Sequence, residues 1–242
     1  GALKRMHYCR CETPLRAVTT LSGELMRLSQ EESSIHIAIS GGSTPLLWYQ
    51  TMATEPFAEA ICWPVLHFWW ADERCVPPEN AESNYGQVNS MLFDRVALPR
   101  KNIHRIRGEA EPEEEAGRMA EEMERLLPRV ENEPIFDWVI LGVGTDGHTA
   151  SLFPGKTNFA DTHLAVVSVQ PKSQQRRISL SARQLGRCRR MTYLVTGSDK
   201  AKRIQRIYEQ LENTPTDPAA RIQSLYGKTE WYLDALSASL LP

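Results

Sequence analysis

The sequence predicts an α/β fold, a mostly parallel sheet flanked by helices. Three observations lead there. Short β-branched and aromatic runs alternate along the chain with segments of helical period. Several of those runs end in glycine-rich or polar stretches, where open parallel sheets carry their ligands. No internal repeat or low-complexity segment interrupts the 242 residues. That length fits one large α/β domain or two small ones. With no obvious linker, a single domain over 1–242 is expected.

The elements follow in order. Leu15, Val18, Leu21, Leu25 and Leu28 recur at three- and four-residue steps, so Pro14 to Gln30 reads as an amphipathic helix. Ile35-His-Ile-Ala-Ile39 reads as a buried strand, stopped by Ser40-Gly-Gly-Ser-Thr-Pro45. Leu46, Leu47 and Tyr49 resume the apolar pattern, which starts a helix near Pro45. Val65 to Trp70 is a second strand, ending at Ala71-Asp-Glu-Arg74. Glu111 to Arg129 is a helix, with Pro112 and glutamates in its first turn and a stripe through Ala116, Met119, Met123 and Leu126. Phe136 to Leu141 is a strand running into Gly142-Val-Gly-Thr-Asp-Gly-His148. Leu164 to Val169 and Arg177 to Ser181 are two further strands. Met191 to Thr196 is the last clear one, followed by a helix over about Asp199 to Leu211. Asn213 to Ala220, with Pro215 and Pro218, is a loop.

Composition narrows the function classes. The 28 basic and 30 acidic residues leave a net charge of −2, with no excess to attract nucleic acid or an anionic membrane. No run approaches the roughly 18 apolar residues of a membrane span, and no signal-peptide pattern opens the chain. Gly1-Ala2 reads as a cloning remnant. The five cysteines are odd in number, and only Cys9 and Cys11 lie close together. A disulfide framework is not expected, which points to a reducing, cytoplasmic setting. No second clustered pair completes a metal site with Cys9-x-Cys11, and none is expected elsewhere.

Four segments at strand ends carry the candidate chemistry. In Ser40 to Pro45, Gly41 and Gly42 let backbone amides approach a ligand, and a helix N-terminus follows. Ser43 and Thr44 add hydroxyls. The same residues also suit a tight turn with an N-cap. Asp72-Glu73-Arg74 sets three charges after Phe68-Trp-Trp70. Such charges are costly near a core unless paired or used, and Arg74 suits phosphate or carboxylate. His148 lies two residues after Asp146 in a glycine-rich loop, a setting for a general base with a carboxylate to orient it. Arg176-Arg177 and Lys200 place basic groups near strand ends, which fits an anionic substrate. No Gly-x-Ser-x-Gly elbow is present. The residues describe water or proton chemistry on a small phosphorylated molecule, without identifying it.

Longer motifs resemble a known family. Ser40-Gly-Gly-Ser-Thr-Pro45, Asp72-Glu-Arg74 with Val76-Pro77, Glu82-Ser-Asn-Tyr85 and Gly142-Val-Gly-Thr-Asp-Gly-His-Thr-Ala-Ser-Leu-Phe-Pro154 are similar to the 6-phosphogluconolactonases. Arg177-Ile-Ser-Leu-Ser181, Thr196-Gly197 with Lys200-Ala201, and Trp231-Tyr-Leu-Asp234 extend the match over nearly the whole chain. The resemblance implies a Rossmann-like fold shared with glucosamine-6-phosphate deaminases and ribose-5-phosphate isomerases. It implies hydrolysis of 6-phospho-D-glucono-1,5-lactone, without a cofactor, in the oxidative pentose phosphate pathway. It matches His148 to the residue that activates water, and Ser43, Arg177 and Lys200 to phosphate contacts. Asp72 and Arg74 match substrate-site positions. The stretch Pro171-Lys-Ser-Gln-Gln-Arg176 lacks the family's proline run. Arg177 is preferred to Arg176 for phosphate because it runs in register with Thr196-Gly197.

Two rivals remain in view. Glucosamine-6-phosphate deaminases resemble the same turn, loop and lysine, but carry Asn-Glu-Pro where this chain reads Leu152-Phe-Pro154. Phe153 cannot transfer a proton, which favours lactone hydrolysis. A non-catalytic sugar-phosphate-sensing module of this fold would add an N-terminal helix-turn-helix, and too few residues precede the first helix to hold one. The expected partner is a small sugar-phosphate lactone, bound by a monomer or homodimer.

Overall fold

The computed structural model describes residues 5–242; Gly1-Ala2, read from the sequence as a cloning remnant, lies outside them. The strands are β1 (Tyr8–Cys11), β2 (Ile35–Ile39), β3 (Leu66–Trp70), β4 (Asp72–Arg74), β5 (Ile103–His104), β6 (Arg129–Val130), β7 (Glu133–Pro134), β8 (Trp138–Leu141), β9 (Ala165–Val169), β10 (Arg176–Leu180), β11 (Arg190–Val195) and β12 (Lys228–Asp234). The helices are α1 (Pro14–Glu31), α2 (Ser43–Met52), α3 (Phe57–Ala60), α4 (Asn84–Met91), α5 (Pro112–Leu126), α6 (Ala182–Gly186), α7 (Ala201–Glu212) and α8 (Pro218–Arg221).

Seven strands form one sheet in the order β1-β12-β11-β8-β2-β3-β5. Every neighbouring pair in it is parallel. A sheet buried on both faces needs apolar strands, and β2 and β8 are buried at every position. Helices cover it. The Thr13 side chain caps α1 by accepting from the Arg16 amide at 3.1 Å, and α1 turns Val18, Leu21 and Leu25 inward. Trp69 and Trp138 are fully enclosed in the core.

Three features depart from the expected plan. The strands read at Leu164 to Val169 and Arg177 to Ser181 do not join the large sheet. They pair antiparallel as β9 and β10, with β4 on the other side of β10. Asp72-Glu73-Arg74 is therefore a strand of a second sheet and not the tail of β3. Ala71 makes the transfer: its amide donates to Ile39 O at 2.8 Å, and its carbonyl accepts from Leu180 N at 2.8 Å. The helix expected to run to Arg129 stops at Leu126, because Leu127 precedes Pro128 and adopts an extended conformation. The expected loop 213–220 contains the start of the single-turn helix α8.

The order of the sheet explains where a site forms. From β2 the chain builds outward through β3 and β5, then crosses back over β2 to β8 and β11. The boundary between β2 and β8 is a topological switch point, the crevice where open parallel sheets bind ligands. β11, β8, β2 and β3 are consecutive neighbours, so the polar segments that follow them converge.

Candidate active site

A cavity of about 260 Å³ opens at these strand ends. Gly41, Gly42, Ser43, Asp72, Arg74, His148, Arg177 and Lys200 all line it. Asp146 stands behind His148.

The first wall is the turn after β2. Gly42 has φ 108°, a conformation that favours glycine, and it serves as the N-cap of α2. Among the described residues no side chain caps that helix, so its first amides remain available to an anion. Thr44 Oγ1 lies 2.6 Å from Thr196 Oγ1, which ties the turn to the loop after β11. That loop brings in Lys200, whose Nζ donates to Val143 O at 2.6 Å.

The second wall comes from the small sheet. Asp72 is 7% exposed and accepts from Ser151 Oγ at 2.6 Å. Arg74 and Arg177 stand directly opposite each other on β4 and β10. Arg74 Nη1 donates to Glu82 O at 2.9 Å, while its Nε finds no partner among the described residues. Arg177 Nε donates to Gln175 Oε1 at 3.1 Å. Burial, and then the charge of Arg74, pull the Arg177 pKa below the usual arginine value. Like charges facing across a strand pair repel, and negative charge brought in by a bound substrate offsets that cost. Arg176, pointing to the other side of β10, is exposed.

The third wall is the loop after β8. His148 Nδ1 lies 2.5 Å from Asp146 Oδ1, and the His148 amide donates to the same oxygen at 3.0 Å. Burial raises the Asp146 carboxyl, but the amide and the imidazole outweigh it and hold the pKa below the ordinary value. Gly147 has φ 92°, and a Cβ there would sit 2.5 Å from Asp217 Cγ, so only glycine fits the turn. From below, Arg203 fixes the loop, donating to Thr145 O at 2.8 Å and to Asp217 Oδ2 at 2.9 Å. Phe153 is 2% exposed and packs against two of these groups. Its ring centroid is 5.0 Å from that of His148 and 5.9 Å from the Arg177 guanidinium carbon.

Gly41, Gly42, Ser43, Asp72, Arg74, His148, Arg177 and Lys200 thus share one cavity with Asp146 bonded to His148, whereas Glu73 and Arg176, also singled out from the sequence, do not line it. Sequence reasoning gave no role to Asn84, which also lines the cavity, or to Ser151, which holds Asp72. Both sit inside segments singled out in the sequence, but neither occupies a strand end. A larger groove of about 790 Å³ borders β5, near His67 and His104. Two of its arginines, Arg105 and Arg118, are tied to Glu109 and Glu115 at 2.7 and 2.6 Å, and it gathers none of the switch-point loops. The smaller cavity is the better candidate on chemistry.

Comparison with known proteins bears on the family of the chain. Residues 13–231 match the family model described as glucosamine-6-phosphate isomerases/6-phosphogluconolactonase. A 6-phosphogluconolactonase of Haemophilus influenzae is 48% identical over 240 residues, covering 98% of this chain and 100% of that protein. The crystal structure of a devB protein superposes with a TM-score of 0.94 at 45% identity, covering 98% and 100% of the two chains. A monomeric glucosamine-6-phosphate deaminase also superposes, with a TM-score of 0.84 over 97% and 100%. At 18% identity that likeness speaks for the fold alone. The extent of the family match and the full-length identity lead to one conclusion: the chain belongs to the glucosamine-6-phosphate isomerase/6-phosphogluconolactonase family.

Proposed function

We propose that the chain is a 6-phosphogluconolactonase, hydrolysing 6-phospho-D-glucono-1,5-lactone to 6-phospho-D-gluconate in the oxidative pentose phosphate pathway. The observation that carries this over amine chemistry is the contact between His148 and Phe153, 5.0 Å between ring centroids. Beside the base stands an apolar ring, where the deaminase resemblance would put a glutamate. That leaves no carboxylate at the position of the deaminase glutamate, which suits attack by water on an ester.

In this mechanism the phosphate sits among Ser43, the Gly41 and Gly42 amides, Arg177 and Lys200. Binding energy at that remote end holds C1 close to His148. Asp146 accepts the Nδ1 proton of His148, which leaves Nε2 as the basic nitrogen. Nε2 takes a proton from water as the water oxygen bonds to C1. The carbonyl electrons move to its oxygen, and Arg74 stabilises the negative charge. Collapse restores the carbonyl and breaks the bond from C1 to the ring oxygen, which takes the proton back from His148. The product is the open-chain acid. Water is the only co-reactant the balance needs. Asp72, held by Ser151, orients sugar hydroxyls.

The test generates the lactone in situ and follows 6-phosphogluconate above spontaneous hydrolysis, with ammonia release from glucosamine-6-phosphate measured in parallel. Acceleration of lactone hydrolysis alone supports the reading. Ammonia release alone overturns it in favour of the deaminase. The free thiols of Cys9, Cys11, Cys62, Cys75 and Cys188 support a reducing, cytoplasmic setting. We read residues 1–242 as one domain, acting as a monomer or homodimer. Among the described residues no helix is long and apolar enough to cross a membrane.

A further inference from the structure

We propose that Asn84 is a positioning residue that sets the spacing between the Gly41 turn and Asp72, with the Glu73 carboxylate holding it in place. The inference rests on the reading of the cavity as a sugar-phosphate site. It gives a purpose to Glu82-Ser83-Asn84-Tyr85, a segment the mechanism above does not use.

Asn84 is 2% exposed, and its Nδ2 donates to the Asp72 carbonyl at 3.1 Å. A carbonyl only accepts, so the amide nitrogen must face Asp72 and the oxygen must face the other way. The other way is Gly41. A Cβ on Gly41 would lie 2.2 Å from Asn84 Oδ1 and 2.8 Å from its Cγ. Gly41 does not have a left-handed φ, in contrast to Gly42, so its backbone conformation admits alanine. What excludes a side chain there is Asn84. Its Oδ1 is buried and finds no hydrogen-bond partner among the described residues. A buried acceptor left unpaired is costly, and its retention here needs a reason other than stability.

Glu73 supplies the rigidity. Its carboxylate, 2% exposed, accepts from Arg74 N at 2.9 Å, Asn84 N at 2.8 Å and Tyr85 N at 2.9 Å. One buried acid thus pins the backbone of β4 to the first turn of α4. The Asn84 side chain spans from there to the phosphate turn. In this arrangement the distance from the phosphate turn to Asp72 is set by one amide side chain in van der Waals contact with a glycine.

The experiment is a double-mutant cycle of Gly41→Ala, Asn84→Ala and the pair. It reads KM and kcat for the lactone and the thermal midpoint of each protein. Gly41→Ala alone should raise KM tenfold or more and lower the midpoint. Adding Asn84→Ala should recover about tenfold in KM and part of the midpoint, a coupling of the size contacting residues show. Asn84→Ala alone should raise KM more than it lowers kcat. Additive effects, or a double variant worse than Gly41→Ala, would overturn the proposal. Asn84→Ser replaces Asn84→Ala in the cycle if the alanine variant does not fold. A wild-type protein without lactonase activity would remove the functional reading, while the midpoints would still report whether Asn84 excludes a side chain at Gly41.

Discussion

His148 Nδ1 and Asp146 Oδ1 are 2.5 Å apart, and the same carboxylate oxygen receives the His148 amide at 3.0 Å. One oxygen therefore fixes both the ring and the backbone of the candidate base. Asp146→Asn offers an N–H to the wrong nitrogen and favours the opposite tautomer. We expect kcat to fall by about 10²–10⁴-fold, the scale of misorienting a general base, with KM changed much less. Steady-state kinetics at a fixed pH decide it. An equal loss in the two parameters would point to a collapsed loop instead.

Arg74 and Arg177 face each other across β4 and β10. Arg177→Gln removes the repulsion, so the unliganded variant should melt no lower than wild type. The same change should abolish stabilisation by 6-phosphogluconate. Wild type should gain about 2.7 kcal/mol when the ligand is present at a hundred times its Kd. Melting curves with and without ligand separate the two effects. Retained ligand stabilisation in the variant would remove Arg177 from the phosphate site.

Phe153 couples stability to the site. It is 2% exposed and touches both His148 and Arg177. Phe153→Ala should cost about 3–5 kcal/mol by denaturant unfolding, the range for a buried aromatic ring. Phe153→Leu retains most of the apolar volume and should cost under half of that. Both should lower kcat, because the imidazole loses the surface that orients it.

The histidines outside the site give a pH signature. His36, His67 and His104 stack across β2, β3 and β5, with ring centroids 4.3 and 5.3 Å apart. His36 Nδ1 accepts from Trp69 Nε1 at 3.0 Å. Burial, and then the neighbouring imidazoles, hold His36 down to about 3. Burial and His67 hold His104 down to about 4. Both folded values lie below the unfolded value of about 6.5, so the unfolded chain takes up protons first. Their contribution is fully present above about pH 6.5 and is lost as pH falls towards 4, by up to ~1.4 kcal/mol per unit for each ring. Glu73 works in the opposite sense. Burial raises it to about 7, against its three amide donors, so its contribution is lost as pH rises through that value. His104→Gln isolates the imidazole effect. Its thermal midpoint should fall less steeply than that of wild type between pH 6.5 and 4, and parallel curves would contradict the assignment.

Much of this site was legible because its residues follow apolar strands. Ile35–Ile39 and Leu66–Trp70 are short apolar runs with abrupt ends, and the polar residues after them stand out. The second sheet was not legible. Asp72-Glu73-Arg74 has no strand-like composition; its pairing with β10 follows from Ala71 leaving the large sheet, a tertiary event. The edge strand β1, Tyr8-Cys-Arg-Cys11, is too polar to announce itself, and it forms because β12 lies beside it. Asn84 escaped for a related reason. It is polar, in a short helix far along the chain from Gly41, and only the fold brings the two together.

The central claim is that His148 activates water. The most direct test is His148→Asn, comparing turnover of the lactone with affinity for 6-phosphogluconate by calorimetry. The account predicts a loss of about 10²–10⁴-fold in kcat with affinity retained within a few-fold. Wild-type turnover in that variant would contradict it, and the base would have to be sought at Asp72 or Asp146.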